Sequence, residues 1–386
     1  MKYFYLISKA SNRLPLLKSN SQRSDAYFRN LIFLSVFWIV LVSCQSKKQE
    51  IIVLPEAEVT VDLSGLGKEK LSEYGFFVGA LKELAPAEEV IPYALNSALF
   101  SDYAFKKRFV KIPKGSKTIF SNDDIFEFPE GTVLIKNFYY PADFRKPKAE
   151  IRILETRLLI KEANIWKALP YIWNDEQSEA FLSVAGKTVA VSWAHYDGTS
   201  KQINYSIPNV NQCKGCHLRG DKLMPIGPTA RQLNGAHEFL QTKNQLIAWQ
   251  ENGVLTDLPN ITEVAALVNY EDTTAALDLR ARAWLEINCA HCHRADGSAK
   301  NSGLHLLASE TNLSKLGVGK APVAAGKGSG GLQYDIVPGN PNKSILQFRI
   351  ESVHPGIMMP ELGRSITHAE GAELVRKWIA EMKRGA

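Results

Sequence analysis

Two five-residue segments restrict this chain more than anything else in it: Cys213-Lys214-Gly215-Cys216-His217 and Cys289-Ala290-His291-Cys292-His293. Both have the spacing C-x-x-C-H, the attachment pattern for c-type haem. The two thiols add across the porphyrin vinyl groups, and the adjacent histidine is carried under the iron as its proximal ligand. The pattern implies two covalently bound haem c groups. One is held by Cys213, Cys216 and His217, the other by Cys289, Cys292 and His293.

Zinc competes for the same residues, because two C-x-x-C pairs can supply four thiolates. Three features oppose it. Each pair carries a histidine at the same adjacent position, 72 residues (217 to 288) separate the pairs, and no cysteine is left over from the exported part. Structural disulfides or a thioredoxin-like redox pair are a third reading, since exported proteins form disulfides readily.

The fifth cysteine, Cys44, has its own context. It follows the 12-residue apolar run Leu31 to Val42, preceded by basic residues. The run is short for a membrane span and fits a signal-peptide core. Leu41-Val42-Ser43-Cys44 resembles a bacterial lipobox, in which the cysteine is lipidated and begins the mature chain. The alternative is a membrane-anchored N-terminus with an incidental cysteine. Both readings make the protein exported and tethered in the cell envelope, periplasmic or at the outer membrane. The basic stretch before the run is long, which suggests that Met1 lies upstream of the true start. Six Lys/Arg against Asp25 in the first 43 residues account for +5 of the formal +6. The remainder is near neutral, so nucleic acid is not an expected partner.

The 386 residues allow two or three domains, and 45% hydrophobic with 22% charged residues is globular composition. The expected organisation is a signal peptide and lipobox over 1–44, a tether over 45–62, a β-rich domain over 63–210, the first motif with a helical connection over 211–270, and a cytochrome c domain over 271–386. Gly131 to Tyr140 and Ile151 to Lys161 are rich in β-branched and aromatic residues. Alternation along the second puts Ile151, Ile153, Arg157 and Leu159 on one face and Leu154, Thr156, Leu158 and Ile160 on the other. Two further strands flank a turn at Asp197-Gly198. Close strands without long helices between them predict an antiparallel sheet. Beyond Pro208 the pattern turns helical. Asn244 to Gly253 reads as a helix with Gly253 at its C-cap, and a helical pattern runs into the second motif. In the last segment Thr367 and Glu370 have capping-box spacing ahead of a stripe of Leu374, Val375, Trp378, Ile379 and Met382. The fold class is therefore α+β and multidomain, with an N-terminal antiparallel β-rich domain, a helical connection and a C-terminal all-α cytochrome c domain.

An electron-transfer haem takes a sixth ligand, usually Met. Met359, before Pro360 and roughly 65 residues after His293, has a normal loop length for returning over the second iron. Met358, His305 and His354 are the alternatives, and Met382 belongs to the helix stripe. At the first motif Met224 comes only seven residues after His217, too few to cross a haem edge and return. His195 and His237 are other candidates, and a five-coordinate iron that binds a small ligand is the open alternative.

The segments "LSEYGFF", "LFSDYAFKKRFV", "GTVLIKNFYY", "ETRLLI", "YIWNDEQSEA", "IPNVNQCKGCH", "PIGPTARQLN", "RARAWLEINCAHCH" and "MMPELGR" together resemble a family of exported bacterial diheme c-type cytochromes, over about residues 70 to 380. The resemblance implies two covalent haems and an envelope location, and no established reaction. The β-rich part also resembles, more weakly, cytochrome c′-beta and its lysine-cross-linked relatives, where a mostly antiparallel sheet covers a haem. That likeness makes Lys136 the position to inspect for a haem neighbour, against the plainer reading of a surface strand lysine. The expected function is electron transfer between redox protein partners in the envelope, from a lipid-anchored position on the membrane. A peroxidase-like or small-ligand site at the first haem, with the second as relay, is the alternative. A zinc-stabilised envelope scaffold is a third possibility.

Overall fold

The computed structural model describes residues 65–383, Thr242 excepted, and these belong to one compact unit. The signal-like run, the tether up to residue 62 and Cys44 lie outside the described residues. Among those described, no helix is long and apolar enough to cross a membrane.

Six strands form an antiparallel meander: β1 (Val90–Tyr93), β2 (Phe105–Lys111), β3 (Val133–Pro141), β4 (Ile151–Glu162), β5 (Ile165–Trp173) and β6 (Ala180–Leu182). Each is bonded to the next of the six, although 21 residues (112–132) connect β2 to β3. One face packs on the preceding segment, where Leu71, Phe76 and Leu84 meet Phe109, Ile135, Leu158 and Tyr171. The other face has two covers. Toward one end, Trp249, Leu246, Leu233 and Leu255 pack on Val110, Leu134 and Trp166. Toward the other, a hairpin of β7 (Lys187–Ala194) and β8 (Ser200–Ile207) packs Trp193 and Tyr205 on Phe138 and Tyr140. Both faces are thus buried, and strict apolar–polar alternation is lost.

The face assignment expected for β4 fails at one residue. Phe138 stands opposite Glu155 and Tyr139 opposite Ile153, so Leu154 is an extra residue in the ladder. This β-bulge reverses the side-chain parity across it. Ile153 packs with Leu158 and Ile160, while Leu154 joins Phe138 on the opposite face. Arg157 and Leu159 therefore part from Ile151 and Ile153.

After β8 come α1 (Val210–His217), α2 (Gln245–Glu251), α3 (Leu277–Leu285), α4 (Ile345–Glu351) and α5 (Ala369–Glu381). Asn244 caps α2 through the amides of Leu246 and Ile247, and Gly253 adopts a left-handed φ of 68° just beyond it. The C-terminal region is not the all-α domain expected. Between the second motif and α4 lies a long run of loops and single 3-10 turns, and only α3, a π turn, α4 and α5 are helical. The cause is composition: the stretch "GVGKAPVAAGKGSGG" is too dense in glycine to sustain a helix. Gly317, with φ of 102°, also abuts the Cβ of Asp335, so close that a β-carbon there would sit 3.0 Å away. The stripe on α5 is buried, with Met382 at its edge, but its expected capping box is absent. The Thr367 hydroxyl donates instead to the Glu351 carbonyl, and Glu370 accepts from the Tyr103 hydroxyl.

The β-rich and C-terminal parts are joined by the loop between β1 and β2. Asp102 accepts hydrogen bonds from the amides of Ser365 (2.7 Å) and Ile366 (3.1 Å). The Phe100 amide donates to Asn288 Oδ1 at 2.9 Å, and its ring stacks on His368 at 4.3 Å. Asn288 is the residue before Cys289, so this loop holds the second motif directly.

Candidate functional site

Helix α1 carries the whole first motif in two turns. Its start is fixed by a capping box: Asn209 accepts from the Gln212 amide, and Gln212 returns a bond to the Asn209 amide. The second motif begins where α3 widens into a π turn, Glu286–Ala290. Such a turn inserts a residue and re-aims the side chains beyond it. The amides of Cys292 and His293 both bond back to the Cys289 carbonyl, at 3.1 and 2.9 Å.

The two histidines share one arrangement. His217 Nδ1 donates to the Met224 carbonyl at 2.8 Å. His293 Nδ1 lies 3.0 Å from Ser302 Oγ, whose own proton goes to the Ala299 carbonyl, so this nitrogen also donates. Each ring therefore leaves Nε2 as its free lone pair. Burial pushes both imidazoles down to about 4, which keeps them neutral.

The cysteines of the two motifs share one neighbourhood. The Cys292 thiol reaches into the first motif, donating to the Gly215 carbonyl at 3.4 Å, and the Cys216 and Cys292 thiols act on each other. Their interaction holds the Cys292 thiol down, helped by His291 and Ser298, and raises Cys216. Burial raises Cys213, and pushes Cys289 up to about 12. All four are free thiols. Beyond the motifs the chains stay together. Ser298 Oγ donates to the Gly215 carbonyl at 3.2 Å, the Gly220 amide donates to the Asp296 carbonyl at 2.9 Å, and the Arg219 guanidinium bridges Asp124 and Asp296.

A cavity of about 170 Å³ lies between α1 and the sheet. Cys213, Cys216 and His217 line it, with Asn288 and His291 from the second motif's neighbourhood; Cys289, Cys292, His293 and Met359 do not. Its sheet wall holds a row of cations. Arg108, Lys136 and Arg157 stand directly opposite one another across β2, β3 and β4. Arg157 pairs with the fully buried Glu155 at 2.6 Å, and Glu155 also accepts from the Tyr205 hydroxyl. Lys136 lies 4.7 Å above the Phe138 ring and has no ion pair among the described residues. It is a cavity residue, not a surface one. Arg108 is 8% exposed, and its Nη2 has no partner.

The methionines separate clearly. The Met224 carbonyl sits behind the His217 ring, on its Nδ1 side and away from Nε2. Met358 is buried and Met359 half-buried. The Met359 amide donates to the Arg349 carbonyl at 3.0 Å, and its carbonyl accepts from Arg364 Nη2 at 2.9 Å. The other histidines are engaged elsewhere. His195 accepts from Trp193 Nε1 at 3.2 Å, His305 lies 3.6 Å from Glu310, and His354 accepts from the Gly356 amide at 3.1 Å; His237 stacks on Phe239 at 5.6 Å, and its buried Nε2 has no partner among the described residues.

Sequence reasoning missed His291, Arg108, Arg157 and Arg364 as cavity residues. His291 was hidden as a variable position of C-x-x-C-H. Arg108 carries no local signal, because only the cover on that face of the sheet makes it a cavity residue. Among the described residues no three His, Cys, Asp or Glu side chains converge to hold a metal ion. No protein-family model matches this chain, and neither the curated proteins nor the solved structures contain a match.

Proposed function

We propose that this protein is a diheme c-type cytochrome that carries electrons in the cell envelope, with one haem held covalently at each C-x-x-C-H motif. One observation carries the reading. Both motif histidines donate through Nδ1 and leave Nε2 unprotonated. A proximal ligand needs that tautomer, and a second partner on the other nitrogen fixes the ring and raises its basicity. Burial keeps both imidazoles neutral, so no proton has to be displaced before ligation. The donor set suits a metal that brings its own equatorial ligands: each motif offers one histidine and two thiols. A four-thiolate zinc site would need Cys213 and Cys289 to converge with the Cys216–Cys292 pair, and they do not.

When bound, a haem c supplies a one-electron redox centre that dilution cannot remove. The chain's residues then set its surroundings. His217 and His293 are the proximal ligands, and Cys213, Cys216, Cys289 and Cys292 the attachment points. Met359 would supply the sixth ligand at the second motif. The Cys216–Cys292 contact brings the two attachment sites side by side, which favours electron exchange between them. Redox proteins of the envelope are the partners, and Cys44 is the lipidated tether to the membrane. The test is haem content after production with the haem-attachment machinery. Two haems per chain are expected, falling to one in Cys213→Ala/Cys216→Ala and in Cys289→Ala/Cys292→Ala. A chain that gives no haem stain after denaturing electrophoresis refutes the proposal.

A second reading, a small-ligand or peroxidase-like site at the first motif, is favoured by the cavity beside His217 and by the position of Met224 behind the ring. Carbon monoxide added to the reduced protein separates the two. Binding at one iron supports an open site, and two unreactive six-coordinate centres leave the electron carrier.

A further inference from the structure

The row of cations on the cavity wall lacks the anions that would balance it. Neighbouring strands place directly opposed side chains about 5 Å apart, and like charges there repel. Here three stand in sequence, Arg108 opposite Lys136 and Lys136 opposite Arg157. Only Glu155 answers them, and it is committed to Arg157 through bonds of 2.6 and 2.7 Å. Arg108 and Lys136 are left without an anion beside the cavity, Arg108 with a buried nitrogen that has no acceptor, and burial among like charges drives Lys136 toward its neutral amine where no anion joins it. Leaving a buried donor unpaired is costly, and leaving a buried charge unpaired more so. A fourth cation, Arg364, lines the same cavity with its Nε unpartnered, while its Nη atoms donate to the carbonyls of Ile366, Arg349, Ser352 and Met359. The arrangement is a built site and not a surface patch.

We propose that Arg108 and Lys136, with Arg157 held in place by Glu155, seat a pair of carboxylate or other oxyanion groups on the sheet wall facing His217. Guanidinium and ammonium donors bind such groups by short charge-assisted hydrogen bonds. The count suits two negative charges, one for each uncompensated cation. Two sources have this chemistry. One is the two propionate carboxylates of a haem at the first motif, which rests on the function proposed above. The other is a free small oxyanion that enters the cavity.

The experiment uses the full chain, haem-loaded, with Arg108→Gln, Lys136→Met and the charge-keeping Lys136→Arg. If haem carboxylates are seated, the propionate bending band in resonance Raman shifts in Arg108→Gln and Lys136→Met and is restored in Lys136→Arg. The reduction equilibrium of one haem moves about tenfold toward the oxidised form, because a positive charge near the iron opposes oxidation and both neutralising variants remove one. Added acetate or nitrate then leaves the wild-type spectrum unchanged. If a free oxyanion is seated, acetate or nitrate perturbs the wild-type spectrum saturably and fails to do so in Lys136→Met. Neither response, with folding verified by circular dichroism, overturns the proposal. Should the chain carry no haem, the function proposed above falls but the seat is still decided. Acetate or nitrate must raise the melting temperature of the wild type and not of Lys136→Met, and equal melting curves reject it.

Discussion

The thiol of Cys292 donates to the carbonyl of Gly215, 3.4 Å away and 77 residues earlier in the chain. This contact lies at the centre of the site. It ties the interior of the first C-x-x-C-H segment to the second cysteine of the other. The Cys216–Cys292 thiol pair and the Arg219 bridge to Asp296 extend it on either side.

Chain made without haem should cross-link between the motifs. Cys292, held down by Cys216, His291 and Ser298, is the more ready thiolate, and its nearest thiol belongs to the other motif. Mild oxidation should join Cys216 to Cys292 before it closes either C-x-x-C pair. Peptide mapping under non-reducing conditions reads this out. A dominant Cys213–Cys216 disulfide would show that the motifs are apart in solution.

Arg219 is expected to hold the two motif loops together. Its guanidinium is 13% exposed and bonds Asp124 at 2.5 Å and Asp296 at 2.6 Å, although both carboxylates are partly in water. Solvent screening limits the loss in Arg219→Ala to about 1 kcal/mol. The larger effect should be local: faster amide hydrogen exchange at 215–220 and 292–298, with the sheet unchanged. Unaltered exchange in those segments would mean that backbone contacts suffice.

Acid should weaken the fold through His368. Its Nδ1 accepts from Trp284 Nε1 at 2.9 Å, its ring stacks on Phe100, and burial pushes it down to about 4 from an ordinary value of 6.5. Because the folded value is the lower one, the unfolded chain takes up the proton first. Stability is therefore fully present above pH 6.5 and is lost as pH falls toward 4, by up to about 1.4 kcal/mol per unit. His368→Phe keeps the stack but strands the Trp284 donor, at a cost of about 1 kcal/mol at neutral pH. Thermal melts from pH 7 to 4.5 should be flatter for this variant. Parallel profiles would remove His368 from the account.

Two adjacent methionines should behave differently. Met359→Ala is expected to abolish a sulfur-to-iron charge-transfer band, with haem content unchanged. Met358 is 9% exposed, and Met358→Ala should keep the band while costing about 2 kcal/mol or more through the cavity it leaves. Loss of the band in Met358→Ala alone would reverse the assignment.

Local chemistry was legible in the amino-acid order alone. Thiols three apart with a histidine beside them, the turn at Asp197-Gly198, the helix opening at Asn244 and the apolar stripe Leu374, Val375, Trp378 and Ile379 each depend on residues within a few positions of one another. What depends on distant residues was decided by the tertiary structure. The bulge at Leu154 reverses the face of Arg157, because pairing with β3, not alternation within β4, sets the register. Lys136 reads as a surface strand lysine until α1 and its cavity cover that face of the sheet. The C-terminal region's glycine content was visible, yet its weight against an all-α fold became plain only in the loops between His293 and α4. The meeting of Cys216 with Cys292 has no local signature, since hydrogen bonds and packing across the β1–β2 loop, α1 and α3 bring them together.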